Sequence, residues 1–246
     1  MTDAHCHVSC GDPSVRELLV GRDFFGVHPW ETLGGTTGTT ETTETTMASL
    51  RSKLLENPKA GVGEIGLDRL KVRDIPPLMR EVFEAQLALA IELGRPVVLH
   101  GAKCWGQVVE AVRRAKTSRT VAAPASLSTV DCRLPTFLFH GFSRSDGLIP
   151  DIVALGGFIS VGPAVLNDHA VNYRALVKKI PLDRLLVETD RTDGPIMNYE
   201  LGIMNNGIHH SIYDVLAKTA EIVGVSAEEL EKVTDENAEK FFGASL

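Results

Sequence analysis

Short apolar runs alternate with helical stretches along the chain, and most of the runs stop at a histidine or an acidic residue. That alternation narrows the fold more than any other feature. Brief apolar runs bounded by turn residues read as buried strands, and they fall at residues 2–6, 24–27, 60–67, 96–99, 136–139, 157–161 and 184–187. Helical pieces are expected at 14–20, 47–55, 105–116, 151–155 and 171–179, with three more, 210–223, 227–232 and 235–242, closing the chain. Another helix opens at Pro76-Pro77, where proline suits a first turn, and stops at Gly94. Its stripe of Met79, Phe83, Leu87, Ala90 and Ile91 is core packing. Strands alternating with helices build a parallel sheet from βαβ units. Six or more such units in 246 residues favour an α/β barrel of the TIM type over an open sheet. Seven strands are legible, and the eighth is expected near 196–203. With no internal repeat and no linker, residues 1–246 read as a single domain.

Composition excludes several classes. No apolar run approaches the ~20 residues of a membrane span, and no basic segment leads into an apolar one at the N-terminus, as a secretory leader requires. A cytoplasmic or nuclear setting and a monomer are expected. The four cysteines, Cys6, Cys10, Cys104 and Cys132, contain no CxxC pair, consistent with a reducing compartment. A net charge of −7 speaks against a broadly basic nucleic-acid face, although two bound divalent cations can invert the local sign.

The first seven residues carry Asp3-Ala4-His5-Cys6-His7. Strand side chains alternate between faces, so Asp3, His5 and His7 point one way and Cys6 the other. Two imidazoles about 6–7 Å apart on one face make half of a metal site, and Asp3 is placed as the carboxylate behind a histidine. Glu64, His100, His140 and Asp190 also lie at or near C-terminal strand ends, the barrel face where active sites are built. Six ligands exceed what one open catalytic zinc uses. Two divalent ions sharing a carboxylate fit better, and such pairs serve displacement at phosphorus. Glu64 is the candidate bridge. Asp190 is expected to bind one ion and accept a proton from the attacking water, and Glu188 shares its face as a supporting carboxylate.

Other residues have plainer expectations. Pro29 keeps His28 extended. Core packing is expected for Trp30 and Trp105, with base stacking at the mouth as the alternative. His209 and His210 open a helix. Residues 34–46 have no apolar side chain to bury and read as a mobile loop on the catalytic face. Residues 117–135 read as an irregular segment on the opposite face.

The motifs Asp3-Ala4-His5-Cys6-His7, GVHPW (26–30), GEIGLD (63–68), PVVLH (96–100), LFHGFS (138–143), ETD (188–190) and NAEKFFG (237–243) resemble, in order, the signatures of the TatD family of metal-dependent hydrolases. The resemblance implies an amidohydrolase-like TIM barrel with two divalent ions, Mg, Mn or Zn. It implies His5, His7, Glu64 and Asp190 on one ion and Glu64, His100 and His140 on the other. It also implies phosphodiester hydrolysis of DNA, commonly from a 3′ end.

Three stretches depart from the family pattern. His100 is followed by Gly101-Ala102-Lys103 where an arginine is usual two residues on. Arg144 stands in the turn after Phe142, and Arg191-Thr192-Asp193 intervenes before Gly194-Pro195. Lys103, Arg144 and Arg191 form a rearranged phosphate-holding set, or Arg144 and Arg191 pair on the surface with Asp146 and Asp193. The alternative function is a barrel hydrolase of a carboxylic ester or amide, such as an aminoacyl-tRNA deacylase or a small-molecule amidohydrolase. A non-catalytic metal-binding protein is disfavoured by the complete ligand set.

Overall fold

The computed structural model describes residues 1–33, 43–122, 135–192, 197–198, 203–204 and 210–243. Eight strands form its centre: β1 (Thr2–Cys6), β2 (Arg16–Leu19), β3 (Phe24–Phe25), β4 (Gly61–Asp68), β5 (Val97–Ala102), β6 (Phe137–Phe139), β7 (Phe158–Val161) and β8 (Leu185–Val187). Strands β3 to β8 lie side by side in chain order, all parallel. β1 and β2 form a parallel pair, joined to β3 by a bridge between Val20 and Phe24. At the other edge the Asp190 amide donates to the His5 carbonyl at 3.0 Å, and the His7 amide donates to the Arg191 carbonyl at 2.8 Å. The last strand therefore meets the first, the arrangement of a TIM-type barrel.

Two apolar layers follow from strand alternation. Ala4, Leu18, Phe24, Val98, Leu138, Phe158 and Leu186 come from seven of the eight strands and form one cluster. The other layer packs Val97, Leu99, Phe137 and Phe139 against the surrounding helices. These helices are α1 (Thr43–Glu56), α2 (Pro77–Leu93), α3 (Trp105–Ala122), α4 (Ile149–Ala154), α5 (Val171–Val177), α6 (Ile212–Val223) and α7 (Ala227–Phe242). Ala238 and Phe241 of α7 join the inner cluster. α2 starts at Pro77 and ends at Gly94, whose φ of 64° suits a left-handed helix cap.

Several expectations are corrected. Residues 14–20 hold strand β2, not a helix. Arg16 and Glu17 give the segment a helical look, but the Glu17 carboxylate is buried on specific donors: the Cys10 amide and the Ser9 hydroxyl, each at 2.5 Å. Parallel pairing with β1 then overrides local propensity. β2 is thus the missing eighth strand. Among the described residues, the region proposed for it holds a short antiparallel pair, β9 (Met197–Asn198) and β10 (Ile203–Met204). The two C-terminal helices are one, α7. The Thr234 hydroxyl donates to the Leu230 carbonyl at 3.0 Å, so a polar residue bonds inside the helix and does not interrupt it. Ser226 caps α7 by accepting from the Glu229 amide at 3.1 Å. α1 begins at Thr43, inside the expected loop, and α3 runs on to Ala122, inside the expected irregular segment. The rest of those segments, 34–42 and 123–134, with Cys132, Asp193 and His209, lie outside the described residues.

Two strands carry one extra residue. Between paired positions, β1 advances from Asp3 to Cys6 while β2 advances from Glu17 to Leu19. Likewise β4 advances from Val62 to Ile65 while β5 advances from Val97 to Leu99. Such bulges re-aim side chains and interrupt the period of two. The first contains His5 and the second Glu64. Among the described residues no helix is long and apolar enough to cross a membrane.

Candidate metal centre

Glu64 is buried and meets imidazoles from four strand ends. Its Oε2 is 3.4 Å from His5 Nε2 and 3.4 Å from His7 Nε2. Its Oε1 is 2.5 Å from His100 Nδ1, 2.6 Å from His140 Nε2 and 3.5 Å from His28 Nε2. Asp190 Oδ1 lies 3.7 Å from His5 Nε2 and 3.6 Å from His7 Nε2. All six ligand candidates read from the sequence are therefore gathered in one place, although they span residues 5 to 190. Three triads have donor atoms within 4.8 Å of one another: His5, His7 and Asp190; His5, Glu64 and His140; His28, Glu64 and His100.

The donors fit a divalent ion. His5 is fully buried, and neither of its ring nitrogens has a hydrogen-bond partner. A buried imidazole left unpaired is costly. Donors ~2.0–2.2 Å from a tetrahedral ion stand about 3.3–3.6 Å from each other, close to the spacing of His5 and His7 from Glu64 and Asp190. Imidazole with carboxylate is also a donor set that zinc and manganese accept.

Electrostatics point the same way. Burial opposes ionisation of Glu64, but His140 and His100 outweigh it and hold the carboxyl well below its ordinary value. Burial would likewise keep His100 neutral, yet Glu64 and Asp68 raise its pKa to about 9. A pocket that attracts protons so strongly attracts a metal cation by the same charge, the ion displacing the protons. Asp190 is shifted in the opposite sense to Glu64: burial raises it against the pull of His140 and His5.

Supporting residues fix the ligands. Glu188 accepts the Gly141 amide at 2.8 Å and the Ser160 hydroxyl at 2.5 Å, and its Oε1 lies 3.7 Å from His140 Nδ1. Asp3 does not stand behind an imidazole. Its carboxylate accepts the Thr189 amide at 3.0 Å and the Thr189 hydroxyl at 2.6 Å, tying β1 to the end of β8. The extra residue in β1 is the reason: strict alternation from Asp3 to His5 is broken.

Sequence reasoning passed over two residues. Asp68 Oδ2 is 2.8 Å from His100 Nε2, and His28 Nε2 faces Glu64. His28 Nδ1 accepts the Trp30 amide at 3.2 Å, so neutral His28 carries its hydrogen on Nε2, toward the centre. Both follow apolar runs in GVHPW and GEIGLD, the same signal that identified the other ligands. Trp30 is not a core residue. It is 39% exposed, and its indole N–H donates to Asp68 Oδ2 at 2.8 Å. Trp105 is buried against Phe139 and Phe142, as expected. Cys6 is buried, with its thiol directed to the Leu18 carbonyl. His210 precedes the Ser211 cap of α6.

The three cations expected to hold phosphate follow three different strands, β5, β6 and β8. Lys103 and Arg144 are exposed, with φ of 57° and 56°, in the left-handed region that Asp190 also adopts at 48°. Non-glycine residues there cluster near functional sites. Asp146, the expected partner of Arg144, pairs with Lys179. Arg191 lines a cleft of about 150 Å³ with Cys10, Asp12, Ser211 and Tyr213. Its carbonyl accepts the His7 and Val8 amides, which fixes the peptide beside that cleft.

Similarity to known proteins agrees with this geometry. The model of a family described as TatD related DNase matches residues 21–243. A Haemophilus influenzae protein named as an uncharacterized metal-dependent hydrolase is 31% identical over 189 residues, covering 74% of this chain and 63% of that protein. An Edwardsiella piscicida protein named 3'-5' ssDNA/RNA exonuclease TatD is 30% identical over 163 residues, covering 65% of this chain and 57% of that protein. The match thus spans less than two thirds of the length of these curated relatives. A crystal structure of the TatD homologue YjjV from Escherichia coli shares the fold with a TM-score of 0.67 at 24% identity, covering 95% of this chain and 79% of the other. Motif order, barrel and family match converge, and the chain belongs to the TatD-related DNase family.

Proposed function

We propose that the centre hydrolyses phosphodiester bonds in DNA, from a 3′ end, using two divalent metal ions, and that residues 1–246 act as one hydrolase domain. The observation that carries this is the division of Glu64: Oε2 faces His5 and His7, and Oε1 faces His100 and His140. One carboxylate placed between two groups of imidazoles is what a shared ligand requires. The name of the Edwardsiella piscicida relative supports a nucleic-acid substrate.

When bound, two such ions lower the pKa of water and neutralise charge at phosphorus. The chain's own residues do the rest. Asp190 and His7 are part-exposed, with 29% and 32% of their side-chain surface open, so water and substrate reach the centre beside them. Asp190 accepts the proton of the attacking water. The Nε2–H of His28 is directed to donate to a phosphoryl oxygen. Glu188 and Asp68 keep His140 and His100 in place.

The test is incubation of the protein with 3′-labelled single-stranded DNA and Mg²⁺ or Mn²⁺, with an EDTA control. Metal-dependent release of label is expected. No release in any metal would transfer the assignment to a carbonyl substrate, an ester or amide.

A further inference from the structure

Trp30 is a large aromatic side chain held open at the rim of the centre. Its indole N–H and His100 Nε2 share one acceptor, Asp68 Oδ2, each at 2.8 Å. The His28 ring meets it edge-on, with centroids 5.0 Å apart. The Lys71 ammonium lies 3.6 Å from the centre of its ring. Arg69, Lys71 and Arg73 are all exposed on the segment that follows β4. Among the described residues, none of the three has an ion-pair partner. An acidic chain thus places the Lys71 ammonium over one exposed indole beside its candidate catalytic pocket, on a segment whose Arg69 guanidinium donates to the Arg73 carbonyl at 2.9 Å.

Resting on the nucleic-acid reading above, we propose that Trp30 and Lys71 form the subsite for a nucleotide flanking the scissile bond, with the base stacked on the indole and its phosphate against Lys71. Cations interleaved with an aromatic face are the chemistry that binds single strands. The indole is fixed by a hydrogen bond to a buried carboxylate, so little freedom is lost when a base docks. An exposed cation–π contact is the weaker of the two interactions, and stacking of a base is the stronger. The base therefore displaces the ammonium from the ring, and Lys71 is left to meet phosphate. Because Trp30 and His100 share Asp68 Oδ2, a base on the indole is registered to the metal ligands. Lys103, Arg144 and Arg191 are not required for this.

The test compares wild type, Trp30→Ala, Trp30→Phe and Lys71→Gln on a 3′-labelled single strand, and on the same strand with abasic residues at its 3′ end, in Mn²⁺. On the intact strand, Trp30→Ala is expected to raise KM about tenfold, with kcat within about twofold. Trp30→Phe is expected to keep most of the affinity. The abasic strand is expected to give all tryptophan variants the same KM. Lys71→Gln is expected to raise KM and flatten its salt dependence. A readout free of turnover is the quenching of tryptophan fluorescence by the strand in EDTA, lost in Trp30→Phe, which keeps only Trp105. If wild type cleaves the strand but Trp30→Ala and the abasic strand leave KM unchanged, or only kcat falls, the subsite is wrong and the nuclease reading stands. If wild type neither cleaves nor binds any strand, the nuclease reading fails and takes the subsite with it.

Discussion

Asp68 and His100 are joined through Oδ2 and Nε2 at 2.8 Å, and that contact decides which ring nitrogen faces Glu64. With Nε2 engaged, Nδ1 is turned inward, 2.5 Å from Glu64 Oε1. Carboxylates placed this way raise the basicity of a ligating imidazole and fix its orientation. Asp68→Ala is expected to weaken metal binding about 10- to 100-fold while circular dichroism stays unchanged. Titration with Mn²⁺ or Zn²⁺ reads this directly, and an unaltered affinity would show that His100 orients itself.

Glu64→Gln and Asp190→Asn are each expected to lower turnover by more than about 100-fold with the fold retained. The two differ in metal content. Loss of the Glu64 charge affects both groups of imidazoles, so the variant is expected to hold fewer than two ions by elemental analysis, whereas Asp190→Asn leaves one group intact. Normal rates in either variant would refute the assigned roles.

Glu17 supplies a pH-dependent share of stability away from the centre. Burial opposes its ionisation, but the Cys10 amide and the Ser9 hydroxyl outweigh burial and lower its pKa below 4.5. A depressed folded pKa means that the stabilisation is present above the unfolded value and is lost as pH falls through the folded one. Glu17→Gln is expected to cost ~1–2 kcal/mol at pH 7, a gap that narrows as pH falls below about 4. Urea unfolding across that range measures it; a gap independent of pH would mean that charge plays no part.

Gly66 pairs with His100 across β4 and β5. Its φ is 156°, and a Cβ there would lie 2.0 Å from the His100 carbonyl oxygen. Gly66→Ala must therefore push the two strands apart where His100 is anchored. A loss of melting temperature together with weakened metal binding is expected. Retention of both would show that β5 yields without cost.

The barrel and the side chains gathered around Glu64 were legible because each rests on a local signal. A short apolar run ending at or near His5, His100, His140 or Asp190 announces both a strand and its catalytic end, and Glu64 stands inside such a run. β2 was not legible, since Arg16 and Glu17 obtain their places from partners in other segments. Asp3 was misplaced because period-two reasoning does not register an extra residue. Trp30 was misjudged since its type favours burial, while its hydrogen bond to Asp68 depends on two strands meeting. Arg191 followed a ligand in the chain but occupies a neighbouring cleft, a direction that spacing alone does not encode.

The supernumerary residues in β1 and β4 also govern how these segments tolerate change in length. Removing one residue between Asp3 and Cys6, or between Val62 and Ile65, would restore ideal pairing with the neighbouring strand. The positions after each bulge would keep their partners and faces, but the local re-aiming that brings His5 and Glu64 to the mouth would be lost. A sequence edited to look like a better strand would be a worse enzyme, so deletions here are expected to be silent in folding assays and visible only in function.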